Sequence, residues 1–97
     1  MSTSQEGKKQ VLIPIATGAC ETETIIIATT LQMFDAFVVL ASVGEDRNCC
    51  MAGGFMMMAD ITIKDAIDYD WDLVVIPGGR GESENDCYQH CSKRLNL

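Results

Sequence analysis

Two short segments hold the residue types that could do chemistry. The first is Thr17-Gly18-Ala19-Cys20-Glu21-Thr22-Glu23, and the second is Pro77-Gly78-Gly79-Arg80-Gly81. Each follows an apolar run. Glu23 falls in the first turn of a predicted helix. An acid there is favourable with the helix dipole on its own account. The chemical alternative is a carboxyl at a strand edge, poised beside a reactive thiol or a proton donor. A Gly-Gly turn at a strand end can aim backbone N–H groups into a cleft and stabilise an oxyanion. The bland reading of Pro-Gly-Gly is a tight turn. The thiols are Cys20, Cys49, Cys50, Cys87 and Cys91. A reactive one needs exposure and a lowered pKa. Asp46 beside the vicinal pair Cys49-Cys50 acts the other way, and Arg47 offsets part of that. Thiol redox sensing through Cys49-Cys50, or through Cys87 with Cys91, stays open as an alternative.

Several classes of function are excluded. The first segment lacks GxGxxG and GxxxxGK[ST], so neither a dinucleotide nor a phosphate cradle is expected. It also lacks the paired aspartates that would hold magnesium. No CxxC spacing occurs, and Cys87-Tyr-Gln-His90-Cys91 falls short of four converging ligands. No cofactor and no metal are therefore expected. Seven Lys plus Arg against 14 Asp plus Glu give a formal charge of −7, which disfavours nucleic acid and anionic membranes as partners. The longest apolar runs, 25–28 and 37–41, are far short of the ~20 residues of a membrane span. A polar start at 1–10 and an odd number of cysteines point to reduced thiols in the cytoplasm.

The elements that must position these residues follow from pattern. Residues 1–9 read as a disordered polar tail, and 10–97 as one domain. Residues 10–16 (Gln-Val-Leu-Ile-Pro-Ile-Ala) read as a strand covered on both faces. Residues 21–34 are rich in Thr and Ile, which local propensity would make a strand. A helix is predicted instead, because parallel strands need a crossover. A second buried strand is predicted at 36–42, and a small hairpin from 49–51 and 55–58 around Gly53-Gly54. A short helix follows at 63–67 with Thr62 as its cap. A buried strand at 73–76 and a last helix at 85–95 complete the order. With 47% hydrophobic residues this is an ordinary globular mix, and the element order is α/β with a parallel sheet.

The two segments and what lies between them resemble the ThiJ/PfpI superfamily, in its subgroup around the parkinsonism-associated protein deglycase. The residues carrying the resemblance are Val11 to Ala19, Glu21-Thr22-Glu23-Thr24, Ala41-Ser42-Val43, Ala59-Asp60, Asp65-Ala66 and Asp72 to Gly79. The resemblance implies a flavodoxin-like three-layer sandwich and a homodimer. It implies a cysteine nucleophile at a strand-to-helix elbow, hydrogen-bonded by a glutamate that matches Glu23. It also implies an oxyanion site on the Pro-Gly-Gly backbone, here Gly78 and Gly79. Members are associated with glyoxalase or deglycase chemistry on small reactive carbonyls, with oxidative-stress responses and with chaperone activity. Some are called thiazole monophosphate biosynthesis proteins.

Departures from the family pattern shape the functional expectation. The Ala-x-Cys-Ala elbow would follow a strand beyond Pro-Gly-Gly, and none of the five cysteines sits in such a motif. His90 does not match the family's histidine. An arginine of the hairpin is replaced by Gly53, and the Arg-Ala-Gly end of the first helix by Phe34-Asp35-Ala36. The chain is therefore expected to represent roughly the N-terminal half of the fold and to be inactive alone. The alternative is a non-catalytic association or chaperone-like module acting as a homo-oligomer.

Overall fold

The computed structural model describes residues 7–78. In chain order the elements are β1 (Gln10–Ile15), α1 (Glu21–Met33), β2 (Phe37–Ser42), β3 (Asn48–Cys50), β4 (Met56–Met58), β5 (Ile61–Thr62), α2 (Ile63–Ala66) and β6 (Leu73–Val74). The four strands β5-β2-β1-β6 form one parallel sheet in that order, and β3 and β4 form a separate antiparallel hairpin. Gly79 and the helix expected at 85–95 lie outside the described residues. Of the expected tail, Lys9 accepts the N–H of Phe37 through its carbonyl, and Lys8 reaches Asp35.

β1 organises the layers. Every residue after Gln10 is buried, and each large aliphatic withdrawn from water contributes about 1.5–3 kcal/mol. Side chains alternate across a strand, so Val11, Ile13 and Ile15 join a core on the α1 face. That core also holds Ala19, Cys49, Met51 and Ala59. Leu12 joins Val39, Ala41, Ile63 and Ala66 on the α2 face. Two cores on opposite faces of one parallel sheet make the three-layer α/β arrangement.

Backbone groups of β1 alternate too. The carbonyls of Gln10 and Leu12 accept from Asp72 and Val75 on the β6 side. Pro14 falls in the same set and has no N–H to give, so the paired residues with β6 stop at Leu12↔Val74. This explains why β6 is shorter than the strand expected at 73–76. That strand was also expected to be buried, yet Leu73 and Ile76 are exposed. Among the described residues β6 has a strand neighbour on one side only.

Two aspartates fasten the short strands. The N–H of Leu40 donates to Asp60 Oδ2 at 2.9 Å, and the N–H of Asp60 returns to the Leu40 carbonyl at 2.8 Å. The N–H of Gln10 donates to Asp72 Oδ2 at 2.7 Å, and the N–H of Asp72 returns to the Gln10 carbonyl at 2.9 Å. Each aspartate immediately precedes a two-residue strand, β5 or β6, and supplies an acceptor where no strand partner exists. β5 itself, at two residues, is too short to show a period in the sequence.

α1 is a helix despite its β-branched content. Thr24, Ile27, Ala28 and Leu31 recur at helical spacing and face the core. Thr24 is fully buried, and its hydroxyl donates to the Cys20 carbonyl at 2.8 Å. Thr29 donates likewise to Ile25 at 2.7 Å. These i−4 bonds satisfy the hydroxyls that would otherwise favour non-helical backbone. The helix ends at Met33. The N–H of Ala36 reaches the Leu31 carbonyl at 3.0 Å, and that of Asp35 reaches Gln32 at 3.0 Å. This is the Schellman pattern, which places Asp35 in the left-handed region at φ 66°. At α2, Thr62 holds the expected cap position with extended backbone, but its side chain makes no cap bond.

Asp35 is thus a strained residue where glycine carries no penalty. Its exposed ion pair with Lys8, at 3.1 Å, contributes little. Asp35→Gly is expected to raise the urea midpoint slightly, and Asp35→Val to lower stability by roughly 1–2 kcal/mol. Equal midpoints for the two variants would contradict the left-handed cap.

Candidate functional site

In a sheet ordered β5-β2-β1-β6, the chain leaves β1 toward β2 on one side and returns to β6 on the other. Ligands of open α/β sheets bind at such a reversal, outside the carboxyl ends of the strands. The turn after β1 and the Pro77-Gly78 segment after β6 meet there. The N–H of Cys20 donates to the Gly78 carbonyl at 2.7 Å. On its other flank the same turn is tied to the hairpin, because Gly18 donates to Cys50 at 2.9 Å and Ala52 to Ala19 at 2.8 Å. Three segments distant in sequence are fixed to one another by backbone bonds.

Glu23 stands in the first turn of α1, with its carboxylate over Gly78. A Cβ on Gly78 would lie 3.0 Å from Glu23 Oε2 and 3.1 Å from Oε1. Glycine permits this approach, and a side chain there would push the carboxylate away. The structure thus brings Glu23 and Gly78 together, while Gly79 lies outside the described residues. Among the described residues, no hydrogen bond joins Glu23 to a thiol.

Glu21 is a site residue that sequence reasoning passed over. Its two carboxylate oxygens both accept the N–H of Gly53, each at 2.9 Å. A Cβ on Gly53 would fall 2.7 Å from Glu21 Oε2. Hydrogen bonding to its own backbone N–H holds the Glu21 carboxyl below the usual carboxylate range. Desolvation opposes this, and the N–H groups of Gly53 and Phe55 add to it. The paired signal was a helix-start acid with a Gly-Gly loop, but only folding brings positions 32 residues apart into contact.

The thiols occupy three different settings. Cys20 is the N-cap of α1, half-buried, and makes no side-chain cap bond. Cys49 and Cys50 are successive residues of β3, so they point to opposite faces. Cys49 is buried with Sγ 3.9 Å from the Ile15 carbonyl, and Cys50 is exposed. Burial pushes the Cys49 thiol up, and the Asp46 carboxylate adds to the effect. Arg47 does not offset it as expected. Its Nε donates to the Ala59 carbonyl and its Nη2 to Met58 Sδ. This geometry works against redox sensing by the vicinal pair. Cys87 and Cys91 lie outside the described residues. Among the described residues, no cluster of three His, Cys, Asp or Glu is set to hold a metal ion. No helix among them is long and apolar enough to cross a membrane.

A model of the DJ-1/PfpI family matches residues 9–94. The chain is 36% identical to Protein DJ-1 homolog B of Arabidopsis thaliana over 97 residues, which is all of this chain and 22% of that protein. It is 38% identical to Protein DJ-1 homolog A of the same plant over 81 residues, covering 21% of it. The chain superposes on Toxoplasma gondii DJ-1, in its oxidized form, with TM-score 0.80 and 30% identity. That match covers 90% of this chain and 46% of that one. Drosophila melanogaster DJ-1beta gives TM-score 0.79 at 24% identity, with 91% and 46% covered, and bears on the fold alone. The chain thus spans about a fifth of these curated relatives and just under half of these solved structures.

Three measurements check the geometry. Gly53→Ala is expected to lower stability, and to do so hardly at all in a Glu21→Ala background, because both changes remove one bond. Additive losses would mean that the bond carries no energy. A depressed carboxyl contributes stability that is present above its unfolded pKa and lost as pH falls through its folded one. Glu21→Gln should therefore flatten the acid limb of stability against pH. In thiol mapping at mildly alkaline pH, iodoacetamide should modify Cys50 promptly and Cys49 only in denaturant. Equal rates by tandem mass spectrometry would contradict the inward placement of Cys49.

Proposed function

Because the chain belongs to the DJ-1/PfpI family, we propose that it carries the carboxylate-and-glycine half of a thiol-dependent site for small reactive carbonyls. In this reading the complete site is of glyoxalase or deglycase type. The Glu23 carboxyl hydrogen-bonds a cysteine nucleophile, and the backbone around Gly78 and Gly79 receives the oxyanion that forms when the thiolate adds to a carbonyl carbon. What supports this is the approach of Glu23 to the Gly78 backbone at the sheet's reversal point, in a chain with the family's motifs at both segments.

The 97-residue chain by itself turns over no such substrate. Of its described cysteines, Cys49 is buried in the core and Cys50 is exposed on the hairpin, while Cys20 stands at the N-cap position beside Gly78 but makes no hydrogen bond to Glu23. A site without its nucleophile loses most of its rate. The purified chain should consume methylglyoxal no faster than its Glu23→Gln variant. Rapid consumption that Glu23→Gln abolishes would show that one of the five cysteines has taken the role.

A second reading is association, and the outer face of α1 favours it. Ile25, Ile26 and Met33 are exposed there at 50%, 57% and 84%, with Phe34 at the helix end at 80%. Exposed apolar area of this kind marks contact surfaces. The chain should scatter light as a dimer or larger species, and Ile26→Lys should shift it toward monomer. A sharp melting transition from a wild-type species of monomer mass would overturn the association reading.

A further inference from the structure

A cavity at the other end of the sheet is used by none of the chemistry above. It opens where β1 and β2 begin, away from Glu23, and has a volume of about 390 Å³. Its walls include Phe37, Val39, Asp60, Ile61, Tyr69 and Trp71. Three aromatic rings and one carboxylate share this space. The rings of Tyr69 and Trp71 meet edge to face, with centroids 6.4 Å apart at 65°. The Trp71 indole N–H donates to the Ala66 carbonyl at 2.9 Å. That bond fixes the ring and leaves the indole without a free donor, so what it offers the cavity is π surface. Phe37 and Trp71 also pack on the core beneath α2, which holds these two rings in place.

Asp60 supplies the charge. One of its oxygens is committed to the Leu40 N–H, and the carboxylate keeps its second oxygen. The segment that carries the two exposed or half-exposed rings is itself acidic, with Asp68, Asp70 and Asp72 around Tyr69 and Trp71. Among the described residues no Lys or Arg lines the cavity. An anion would be repelled here. A primary ammonium would need three hydrogen-bond acceptors, more than the free oxygen of Asp60 and the side-chain amide oxygen of Gln10 provide between them. A quaternary ammonium needs none. Its methyl groups pack on ring faces while its charge is attracted by the ring quadrupoles and by the carboxylate.

We propose that this cavity binds the quaternary-ammonium group of a small molecule. Trp71 is the only tryptophan of the chain, so its fluorescence reports on the site directly. The full chain is titrated with choline and, separately, with 3,3-dimethylbutan-1-ol, the neutral isostere with carbon in place of nitrogen. Sodium chloride matches the ionic strength throughout. The expected result is a saturable change with choline and affinity roughly five- to tenfold weaker for the isostere, the size of effect a cation over aromatic faces produces. Asp60→Asn keeps an oxygen for the Leu40 N–H and removes the charge. It should weaken choline several-fold and leave the isostere unchanged, with circular dichroism confirming the fold. Tyr69→Leu removes a ring that is 61% exposed, so the fold does not depend on it, and it should also weaken choline. Equal affinity for choline and the isostere would overturn the proposal. So would the absence of saturation with choline, or choline affinity indifferent to Asp60→Asn.

Discussion

Everything in this structure hangs on the two-sided burial of β1. A strand with apolar side chains on both faces has to find one layer above and another below, and the chain provides α1 with the hairpin for one and α2 for the other. The same strand directs its odd-numbered backbone groups to β2 and its even-numbered ones to β6. Pro14 interrupts only the second set. The consequence is local and functional. The sheet is fully zipped between β1 and β2, and it releases β6 near its carboxyl end. There the segment after Val75 leaves the sheet, and its end at Gly78 is held by the Cys20 N–H instead of by a strand.

That release lets the turn after β1 act as a hub. Its backbone reaches the hairpin through Gly18 and Ala19 and the end of β6 through Cys20. The two acids of α1 then extend from the hub in two directions. Glu21 seizes the hairpin loop at Gly53, and Glu23 leans on Gly78. In both places the partner is a glycine, because a carboxylate can approach a Cα closely only where no Cβ intervenes. The first contact is mechanical and ties the hairpin to the helix. The second keeps a carboxylate at the edge where the family's chemistry is proposed to take place.

The departures from the family pattern fall into place on the same geometry. Gly53, standing where the resemblance leads one to look for an arginine, admits the Glu21 carboxylate within a distance no side chain would tolerate. Asp35, the middle residue of the Phe34-Asp35-Ala36 that replaces Arg-Ala-Gly, takes the left-handed cap because aspartate is among the few residues that visit that region readily. Its carboxylate also meets Lys8. Neither substitution undoes the fold, since neither touches the two cores.

The order of elements, the parallel sheet and the place of the two motif segments were legible in the residues themselves. Apolar runs bounded by turn signals mark β1 and β2, and the need for a crossover makes a helix of a stretch whose Thr and Ile content reads as strand. Local pattern is enough there because burial of a whole face repeats along the segment. The sequence could not show β5, two residues long, whose existence rests on Asp60 clasping Leu40 across the sheet. Nor could it show where β6 would stop, since that depends on a proline in a different strand. The vicinal cysteines looked equivalent until strand alternation put one in the core and the other outside. Glu23 was recognisable by type and position, but its closeness to Gly78 and the bond from Glu21 to Gly53 join residues far apart along the chain. Such contacts follow from how the sheet reverses direction, and only the tertiary structure decides them.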